Sequence, residues 1–319
     1  MVMQLTQPHT RCRLEGMECY PKNMMELEQR FSLTEECRKY LFSLRWPNGY
    51  VCSNCGGSES WEMSNGLILC ADCRYQQSVI AGTIFQNTHM PLPMWFRAMW
   101  CVCSQKNGVS ALGLQQALSF SSYNTAWLCL HKLRKAMVRP GREKLSGHVE
   151  VDEAYIGGKQ EGKRGRGAYG KKIIFVAVEK KGDAMGRIRL FCIPDVSAKT
   201  LEKVIHDTIK EGSSIYTDGW KGYSGLRKSG YIHTVTNKST EEFSEEILPK
   251  CHLVISLVKR WILGTLQGNV GADHFQDYLN EFTFRFNRRS SNSRGKLFYR
   301  LAQLSVVTLP SERSKIVNH

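Results

Sequence analysis

Two short apolar segments of the sequence each carry an aspartate. Residues 147–158 contain Asp152, and residues 213–220 contain Asp218 directly before a glycine. Short apolar runs that close on glycine predict β-strands, and we expect each carboxylate at the end of its strand. Two such carboxylates could hold divalent metal ions between them, because hard cations prefer clustered oxygen ligands. The alternative is that each aspartate only caps the turn after its strand.

A second metal pattern lies earlier in the chain, in two Cys-x-x-Cys pairs formed by Cys52, Cys55, Cys70 and Cys73. Four thiolates at this spacing can complete a tetrahedral zinc shell and leave no position open for substrate, so we predict a structural zinc ribbon. The alternatives are four unrelated buried cysteines or a thioredoxin-like redox role, which would need a βαβ context. The other cysteines are interpreted as buried thiols.

The charge balance points to nucleic acid as a partner. The chain has 319 residues, 44 Lys and Arg against 29 Asp and Glu, and a formal net charge of +15. A basic surface of this kind attracts phosphates, although it also occurs as a solubility device or a membrane-surface patch. No run of the sequence is apolar enough for a membrane span, and residues 1–23 lack the apolar core of a signal peptide. We therefore expect a cytoplasmic protein with no membrane partner, nucleoid-associated when it is bound to DNA.

A helix-turn-helix pattern precedes the first aspartate. Residues 109–118 and 124–137 predict two helices joined by a short polar turn, and the second helix could lie in a major groove. Its candidate DNA contacts are Ser122, Tyr123, Asn124, Lys132 and Arg134. Any two consecutive helices can mimic this pattern. The aromatic residues of the helix that opens at residues 91–94 could be core residues or a base-stacking platform, and their helical spacing favours core.

Two further basic segments are candidate DNA contacts. Residues 157–172 form a glycine-rich loop that holds Lys163, Arg164 and Arg166, and it does not match a Walker loop. It would order on a phosphate backbone, or else it is a solvated hairpin tip. Arg288 and Arg289 end a helix predicted over residues 274–289, where basic side chains suit the helix dipole as well as DNA.

The elements around the aspartates predict an α/β sheet. Strands at 173–178 and 187–193 and a helix at 197–209 separate the two aspartate segments. From Pro249 the pattern becomes helical, and His252, Ser256 and Lys259 share one face. This face could present His252 to a metal ion and Lys259 to a phosphate, although a histidine on a mostly apolar helix is more often a core residue.

Taken together, these blocks resemble an insertion-sequence transposase of the DDE superfamily, in the bacterial zinc-ribbon group related to the eukaryotic Merlin elements. The similarity spans residues 26–304. It is carried by the paired cysteines after Trp46-Pro47-Asn48-Gly49 and by further blocks at 81–85, 91–96, 149–153, 217–220, 259–261, 263–265 and 281–289.

The resemblance implies a ribonuclease-H-like catalytic fold behind an N-terminal zinc ribbon and a helix-turn-helix region. The predicted domains are a flexible lead (1–23), a helix plus zinc ribbon (24–90), the helix-turn-helix region (91–140), the catalytic domain (147–305) and a tail (306–319). It also implies Asp152 and Asp218 as acidic ligands of Mg²⁺ or Mn²⁺, with His252 as the third ligand, seven residues before Lys259. Glu281 is the reserve candidate for the third ligand.

Replacement of a third carboxylate by imidazole removes one negative charge and adds a nitrogen donor, which should favour Mn²⁺ relative to Mg²⁺. The resemblance further implies cleavage of double-stranded DNA at terminal inverted repeats, joining to target DNA, and a homodimer or larger synaptic assembly. Two alternatives stay open. One is a related nuclease, and the other is an inactive DNA-binding regulator, hinted at by Leu257-Val258 where the group commonly has Asn-Leu.

Overall fold

The computed structural model describes residues 20–157, 171–236, 247–268 and 270–311. The chain divides into two compact units. The first contains the residues up to Arg139 together with those from Ser291 onward, and the second contains residues 140–290. The basic loop residues Lys163, Arg164 and Arg166 lie outside the described residues.

The first unit begins with two helices and a small sheet. Helices α1 (Met24–Arg30) and α2 (Thr34–Arg45) agree with the amphipathic pattern of this region. Asn23 caps α1 by accepting a hydrogen bond from the Glu26 N–H at 2.9 Å. Strands β1 (Ser60–Glu62), β2 (Ile68–Cys70) and β3 (Gln76–Gln77) form an antiparallel sheet in the order β1-β2-β3. This sheet carries the cysteine pairs.

Three further helices follow in the first unit. Helix α3 (Leu92–Ser104) buries Trp95, Phe96 and Trp100. Its aromatic residues are therefore core residues and not a base-stacking platform. Helices α4 (Ala111–Leu118) and α5 (Tyr123–Ala136) pack on each other and flank a short turn. The turn is tight because Ser119 takes a left-handed conformation at φ 53°. Two helices therefore lie where the sequence places them, and their use as a helix-turn-helix stays a prediction.

The last helix, α9 (Arg294–Val307), changes the predicted domain boundary. We expect residues up to 305 in the catalytic domain, whereas α9 packs on α2, α3 and α5 of the first unit. The reason is an aromatic cluster. The ring of Phe298 lies 5.6 Å from that of Phe96, and Phe31, Tyr40 and Trp100 surround it at 6.1–6.3 Å.

The second unit contains a five-stranded mixed sheet. Its strands are β4 (His148–Ile156), β5 (Lys172–Lys181), β6 (Ala184–Ile193), β7 (Ser214–Thr217) and β8 (Ile232–Val235), in the order β6-β5-β4-β7-β8. β4, β5 and β6 pair antiparallel, whereas β7 pairs parallel with both β4 and β8. β8 is a short edge strand whose residues are mostly exposed, and the sequence patterns do not predict it.

Helices cover both faces of this sheet. Helix α6 (Ala198–Thr208) packs on the face that carries Val149 and Val151 of β4. Helices α7 (Pro249–Leu266) and α8 (Phe275–Phe286) pack on the other face, around Ala154, Val176 and Leu190. Short 3-10 turns occur at Lys221–Tyr223 and Ala272–His274. Within the described parts of the chain, none of these helices has both the length and the apolar composition that crossing a membrane requires.

We predict that Phe298→Ala destabilises the first unit by about 3–5 kcal/mol, the usual cost of removing a buried aromatic side chain. Phe298 is fully buried, whereas Leu309, a matched control, is 77% exposed. Leu309→Ala should change the free energy of unfolding by less than about 0.5 kcal/mol. Urea denaturation followed by tryptophan fluorescence measures both variants. Equal stability of the two variants would contradict the packing of α9 in the first unit.

Candidate active site and metal centre

The two aspartates belong to neighbouring parallel strands, Asp152 within β4 and Asp218 directly after β7. In the pairing of β4 with β7, Glu150 lies opposite Tyr216. Two residues further along each strand, on the same face, come Asp152 and Asp218. Asp218 directly follows β7, as expected, but Asp152 lies in the middle of β4 rather than at its end. β4 extends to Ile156 because it keeps its antiparallel pairing with β5 as far as Lys172, beyond the end of β7.

The first turn of α7 brings His252 to the same place. Its Nε2 atom lies 3.5 Å from Oδ2 of Asp152. Adjacent ligands of one octahedral ion, each about 2.1 Å from it, are separated by about 3 Å, so this spacing suits two ligands of one ion. The side chain of Asp152 is 14% exposed and that of His252 is 40% exposed. The pair is therefore sheltered on the strand side and open on the helix side.

The electrostatics of Asp152 favour a cation beside it. Burial raises the pKa of its carboxyl to about 6, and the Glu153 and Asp218 carboxylates add to the rise. The Glu153 N–H, which donates to Oδ1 of Asp152 at 2.8 Å, and His252 oppose it. Desolvation and like charge thus disfavour the ionised form. A divalent cation would reverse this balance.

Asp218 has a local role as well. Its Oδ1 accepts a hydrogen bond from the Trp220 N–H at 3.0 Å, so the turn-capping alternative describes its local bonding correctly. One such bond does not use the full acceptor capacity of a carboxylate. In the described part of the chain, Asp152, Asp218 and His252 do not form a group whose ligand atoms all lie within 4.8 Å of one another. The charge of Asp218 nevertheless acts on the Asp152 carboxyl, and His252 contacts Asp152.

Helix α7 also carries Ser256 and Lys259, the other residues that the sequence predicts on the face of His252. Ser256 and Lys259 are exposed, on the same helical row as His252. The departure from the family pattern falls elsewhere, because Val258 is buried and Leu257 packs against the core cluster of this face. Leu257 and Val258 therefore contribute to packing and leave the row of His252, Ser256 and Lys259 unchanged.

Glu281, the reserve ligand, lies in a different environment. It is fully buried in α8, and its Oε1 lies 3.7 Å from Nη1 of Arg285, one helical turn away. A buried carboxylate beside a guanidinium is typical of structural ion pairing. The contacts of the two residues therefore favour His252 over Glu281 as a partner for Asp152.

Sequence reasoning missed Glu150, the neighbour of Asp152 on the same strand face. Its Oε2 accepts hydrogen bonds from the backbone N–H groups of Lys250 and Cys251, at 2.9 and 3.0 Å. Only 2% of Glu150 is exposed. The signal available in the sequence was a carboxylate among apolar residues of a buried strand, since such groups are rarely buried without partners.

The four paired cysteines meet in the first unit. Their sulfur atoms all lie within 4.8 Å of one another, with Cys52 Sγ 3.7 Å from Cys73 Sγ and Cys55 Sγ 3.6 Å from Cys70 Sγ. The Asn54 and Gly57 N–H groups point to the sulfurs of Cys52 and Cys55, each at 3.4 Å. Four converging sulfurs with N–H donors fit thiolates around one Zn²⁺ ion. This is a closed, structural set of ligands.

The candidate DNA contacts on α5 have different positions. Tyr123 and Asn124 are exposed at the start of the helix, and the Ser122 hydroxyl accepts the Asn124 N–H as the helix cap. Lys132 is half-buried, and burial lowers its pKa. The prediction that Arg134 contacts DNA is wrong for this structure, because it is only 2% exposed. It follows Leu133 on the buried side of α5, with Nη1 3.5 Å from Nε2 of His131.

Arg288 and Arg289 are engaged within the second unit. The Arg288 guanidinium lies 4.0 Å from the centre of the Phe284 ring and donates to the Phe284 carbonyl. That of Arg289 stacks on Phe286 at 4.1 Å and donates to the carbonyls of Met185 and Gly186. The Arg289 side chain therefore helps to dock the end of α8 on β6, whereas these Arg288 contacts lie within α8. Contact with DNA stays a prediction for them.

Comparison with known families finds one match within each unit. Residues 144–287 match the family described as the ISXO2-like transposase domain, and residues 34–76 match the transposase zinc-ribbon domain. The chain belongs with the zinc-ribbon insertion-sequence transposases of the DDE superfamily. The first match contains Asp152, Asp218 and His252, and the second contains the four paired cysteines. The transposase domain and the zinc ribbon are thus in the order that the sequence predicts.

Two relatives extend this assignment. An uncharacterized protein in transposable element ISH50 of Halobacterium salinarum is 24% identical over 267 residues, which cover 77% of this chain and 88% of the relative. An uncharacterized transposase-like protein of Haemophilus influenzae is 29% identical over 121 residues, which cover 36% of this chain and 93% of that protein. The similarity to the Halobacterium protein covers most of both chains.

For the zinc centre of this transposase, we predict that Cys73→Ser lowers the bound zinc well below one ion per chain. A serine hydroxyl is a poor substitute for a thiolate, and the small sheet has few apolar contacts of its own. The matched control is Cys101→Ser, a half-buried thiol in α3 outside the cysteine cluster. Elemental analysis of the purified proteins measures the zinc. Full zinc content in Cys73→Ser would contradict the assignment.

We predict that Asp152→Asn stabilises the second unit when no divalent ion is added. The pKa of Asp152 is about 6 in the folded chain, above its ordinary value of 3.8, so the folded state binds the proton more tightly. Ionisation of Asp152 therefore reduces the stability of the parent protein as pH rises from 3.8 to about 6 and above. The gain from asparagine should grow between pH 5 and pH 7.5, to at most about 3 kcal/mol, since tenfold in proton affinity is about 1.4 kcal/mol.

Glu179→Gln is the control of opposite sign for this measurement. Although burial raises the pKa of Glu179, hydrogen bonds from Arg187 and Ser146 hold it below the ordinary value. This carboxylate therefore adds stability that is present at neutral pH and lost as pH falls, so the variant should be less stable than the parent at pH 7.5. Urea denaturation across the pH range measures both variants. A destabilised Asp152→Asn at pH 7.5 would refute the electrostatic description of the site.

Proposed function

We propose that this transposase cuts DNA at the ends of its own insertion sequence and joins the freed 3′ hydroxyls to target DNA. The observation that carries the proposal is that two candidate ligands, Asp152 and His252, are in contact at the face of the sheet, with the Asp218 carboxylate near Asp152. Asp152 and Asp218 each follow the last paired residues of β4 and β7 by two positions, and His252 lies 3.5 Å from Asp152. The family match supports the transposase class, and the ligand geometry supports a polynucleotidyl transfer reaction.

We further propose a ribonuclease-H-like fold for the second unit. Three antiparallel strands are followed by a crossover helix and two parallel strands, with helices on both faces of the sheet. This order returns the chain so that the second aspartate arrives beside the first. The arrangement is the one that the family resemblance implies.

Asp152, Asp218 and His252 would hold Mg²⁺ or Mn²⁺. The raised pKa of Asp152 and the imidazole beside it fit a site for a cation. When bound, such ions activate the attacking hydroxyl and stabilise the leaving oxygen of a phosphodiester in an in-line displacement. The neutral imidazole in place of a carboxylate gives the expected relative preference for Mn²⁺.

The chain's own residues would bind and orient the DNA strand. Lys259 lies two helical turns, about 10 Å, along α7 from His252, and its exposed ammonium would contact a phosphate near the cleaved bond. Ser256 lies between them on the same row. The buried strand side of Asp152 excludes water from one side of the site, so the DNA would approach from the helix side.

Recognition of the element ends is assigned to the first unit. The zinc ribbon and the exposed start of α5, with Tyr123 and Asn124, would read the terminal inverted repeats. The basic residue Lys132 of this unit, together with Lys163, Arg164 and Arg166 of the second unit, would contact phosphates. Two ends must meet for joining, so a homodimer or larger synaptic assembly on DNA is part of the proposal.

The test is a strand-transfer assay with a duplex that carries the element end and a supercoiled target. We predict joined product with the parent protein, more with Mn²⁺ than with Mg²⁺. Asp152→Ala should lose joining by several orders of magnitude, because a ligand of the reacting centre is removed. Glu202→Ala is the matched control, since it removes a carboxylate from α6, on the opposite face of the sheet, and should keep near-parental activity.

Each other outcome has a definite meaning. Cleavage without joining would identify a related nuclease. DNA binding without cleavage in either metal would identify a catalytically inactive DNA-binding regulator. Joining that Mg²⁺ supports as well as Mn²⁺ would refute the argument about His252 as the third ligand.

A further inference from the structure

The first turn of α7 is capped by the sheet rather than by its own sequence. Leu248 precedes the helix and makes no side-chain cap, and Pro249 at the first position has no N–H to donate. The next two N–H groups, of Lys250 and Cys251, both donate to Oε2 of Glu150. The carboxylate of a β-strand therefore satisfies the donors that an N-cap side chain would otherwise satisfy.

The environment of Glu150 makes this connection rigid. Its strand is hydrogen-bonded on both sides, with Val178 of β5 and Tyr216 of β7 as register partners. The side chain is almost fully buried, and Lys180 Nζ lies 4.0 Å from its Oε1. A buried carboxylate is costly unless it is paired and hydrogen-bonded, and the positive end of a helix dipole favours it. Loss of this group would leave two backbone donors without their acceptor.

The conformation of Leu248 also depends on this anchorage. Its φ of 54° lies in the left-handed region, which is unfavourable for a residue with a branched side chain. Such a conformation persists where the surrounding structure determines it. Leu248 is 2% exposed, and it is followed within three residues by the two N–H groups that Glu150 holds. The chain is thus fixed at the point where α7 begins.

Glu150 connects the two halves of the candidate active site. It lies two residues before Asp152 on the same strand face, and Cys251, which it holds, directly precedes His252. We infer that Glu150 is a positioning residue, which keeps the His252 imidazole beside Asp152 by holding the first turn of α7 against β4. The inference rests on the proposed function, in which His252 is a metal ligand.

The inference predicts two effects of Glu150→Ala. Amide hydrogen exchange at Lys250 and Cys251 should become faster in the metal-free protein, because their acceptor is gone. The affinity for Mn²⁺, measured by electron paramagnetic resonance on the zinc-loaded full chain, should fall about 10–100-fold, as for other groups that orient metal ligands. Glu150→Gln keeps an acceptor oxygen and should lose less in both measurements.

Glu179→Ala is the matched structural control. Glu179 is also a buried carboxylate of this sheet, 4% exposed, but its bonds go to Ser146 and Arg187 and none of them reaches α7. We expect Glu179→Ala to lower thermal stability and to leave Mn²⁺ affinity unchanged. An equal loss of Mn²⁺ affinity in both alanine variants would reduce Glu150 to a general structural role and overturn the inference.

A double-mutant cycle with His252→Ala separates positioning from other effects. If Glu150 acts through His252, Glu150→Ala should cause no further loss of Mn²⁺ affinity in the His252→Ala background. The same loss in both backgrounds would overturn the inference. If His252→Ala binds Mn²⁺ like the parent, the ligand set of the proposed function fails. If His252→Ala weakens Mn²⁺ but exchange in Glu150→Ala is unchanged, the positioning role alone fails.

Discussion

Parallel pairing of β4 with β7 is the constraint on which the second unit depends. Glu150 and its partner Tyr216 lie 66 residues apart in the chain, and this ladder brings the end of β7, with Asp218 after it, beside the strand that carries Asp152. A parallel pair needs a crossover connection, which the chain provides through β5, β6 and α6. Besides packing in the core, β5, β6 and α6 return the chain to the sheet in the direction that parallel pairing of β7 requires.

The neighbouring carboxylates Glu150 and Asp152 lie on the same sheet face but in different electrostatic environments. Glu150 is buried but satisfied, because the N-terminus of α7 and Lys180 surround it with donors and positive charge. Asp152, two residues away, is buried with other carboxylates nearby, and its pKa rises to about 6. The hydrogen bonds of Glu150 stabilise the folded state and so offset the unfavourable burial of the Asp152 carboxylate. This division between a satisfied structural group and an electrostatically unsatisfied neighbour is what a cation site requires.

The two proposed metal sites differ in chemistry as their roles differ. The ribbon offers four sulfurs from two tight knuckles, a soft and closed set that suits zinc. The sheet face offers oxygens and one imidazole nitrogen on elements far apart in sequence, a harder and more open set. The ribbon ligands lie close in the chain because the site stabilises a small sheet. The others come from separate strands and a helix, and the proposed reaction requires substrate to reach them.

Local patterns in the sequence determined the zinc ligands, most helices and strands, the aspartate segments and the row of His252, Ser256 and Lys259, because short-range spacing and periodicity report directly on these features. Tertiary structure alone decided that α9 joins the first unit, that β8 adds an edge strand, that Arg134 is buried and that Asp152 lies within β4. It also revealed Glu150 as the acceptor for α7, across a hundred residues of chain. Each of these depends on which distant elements meet, and neither residue type nor local spacing encodes that partner.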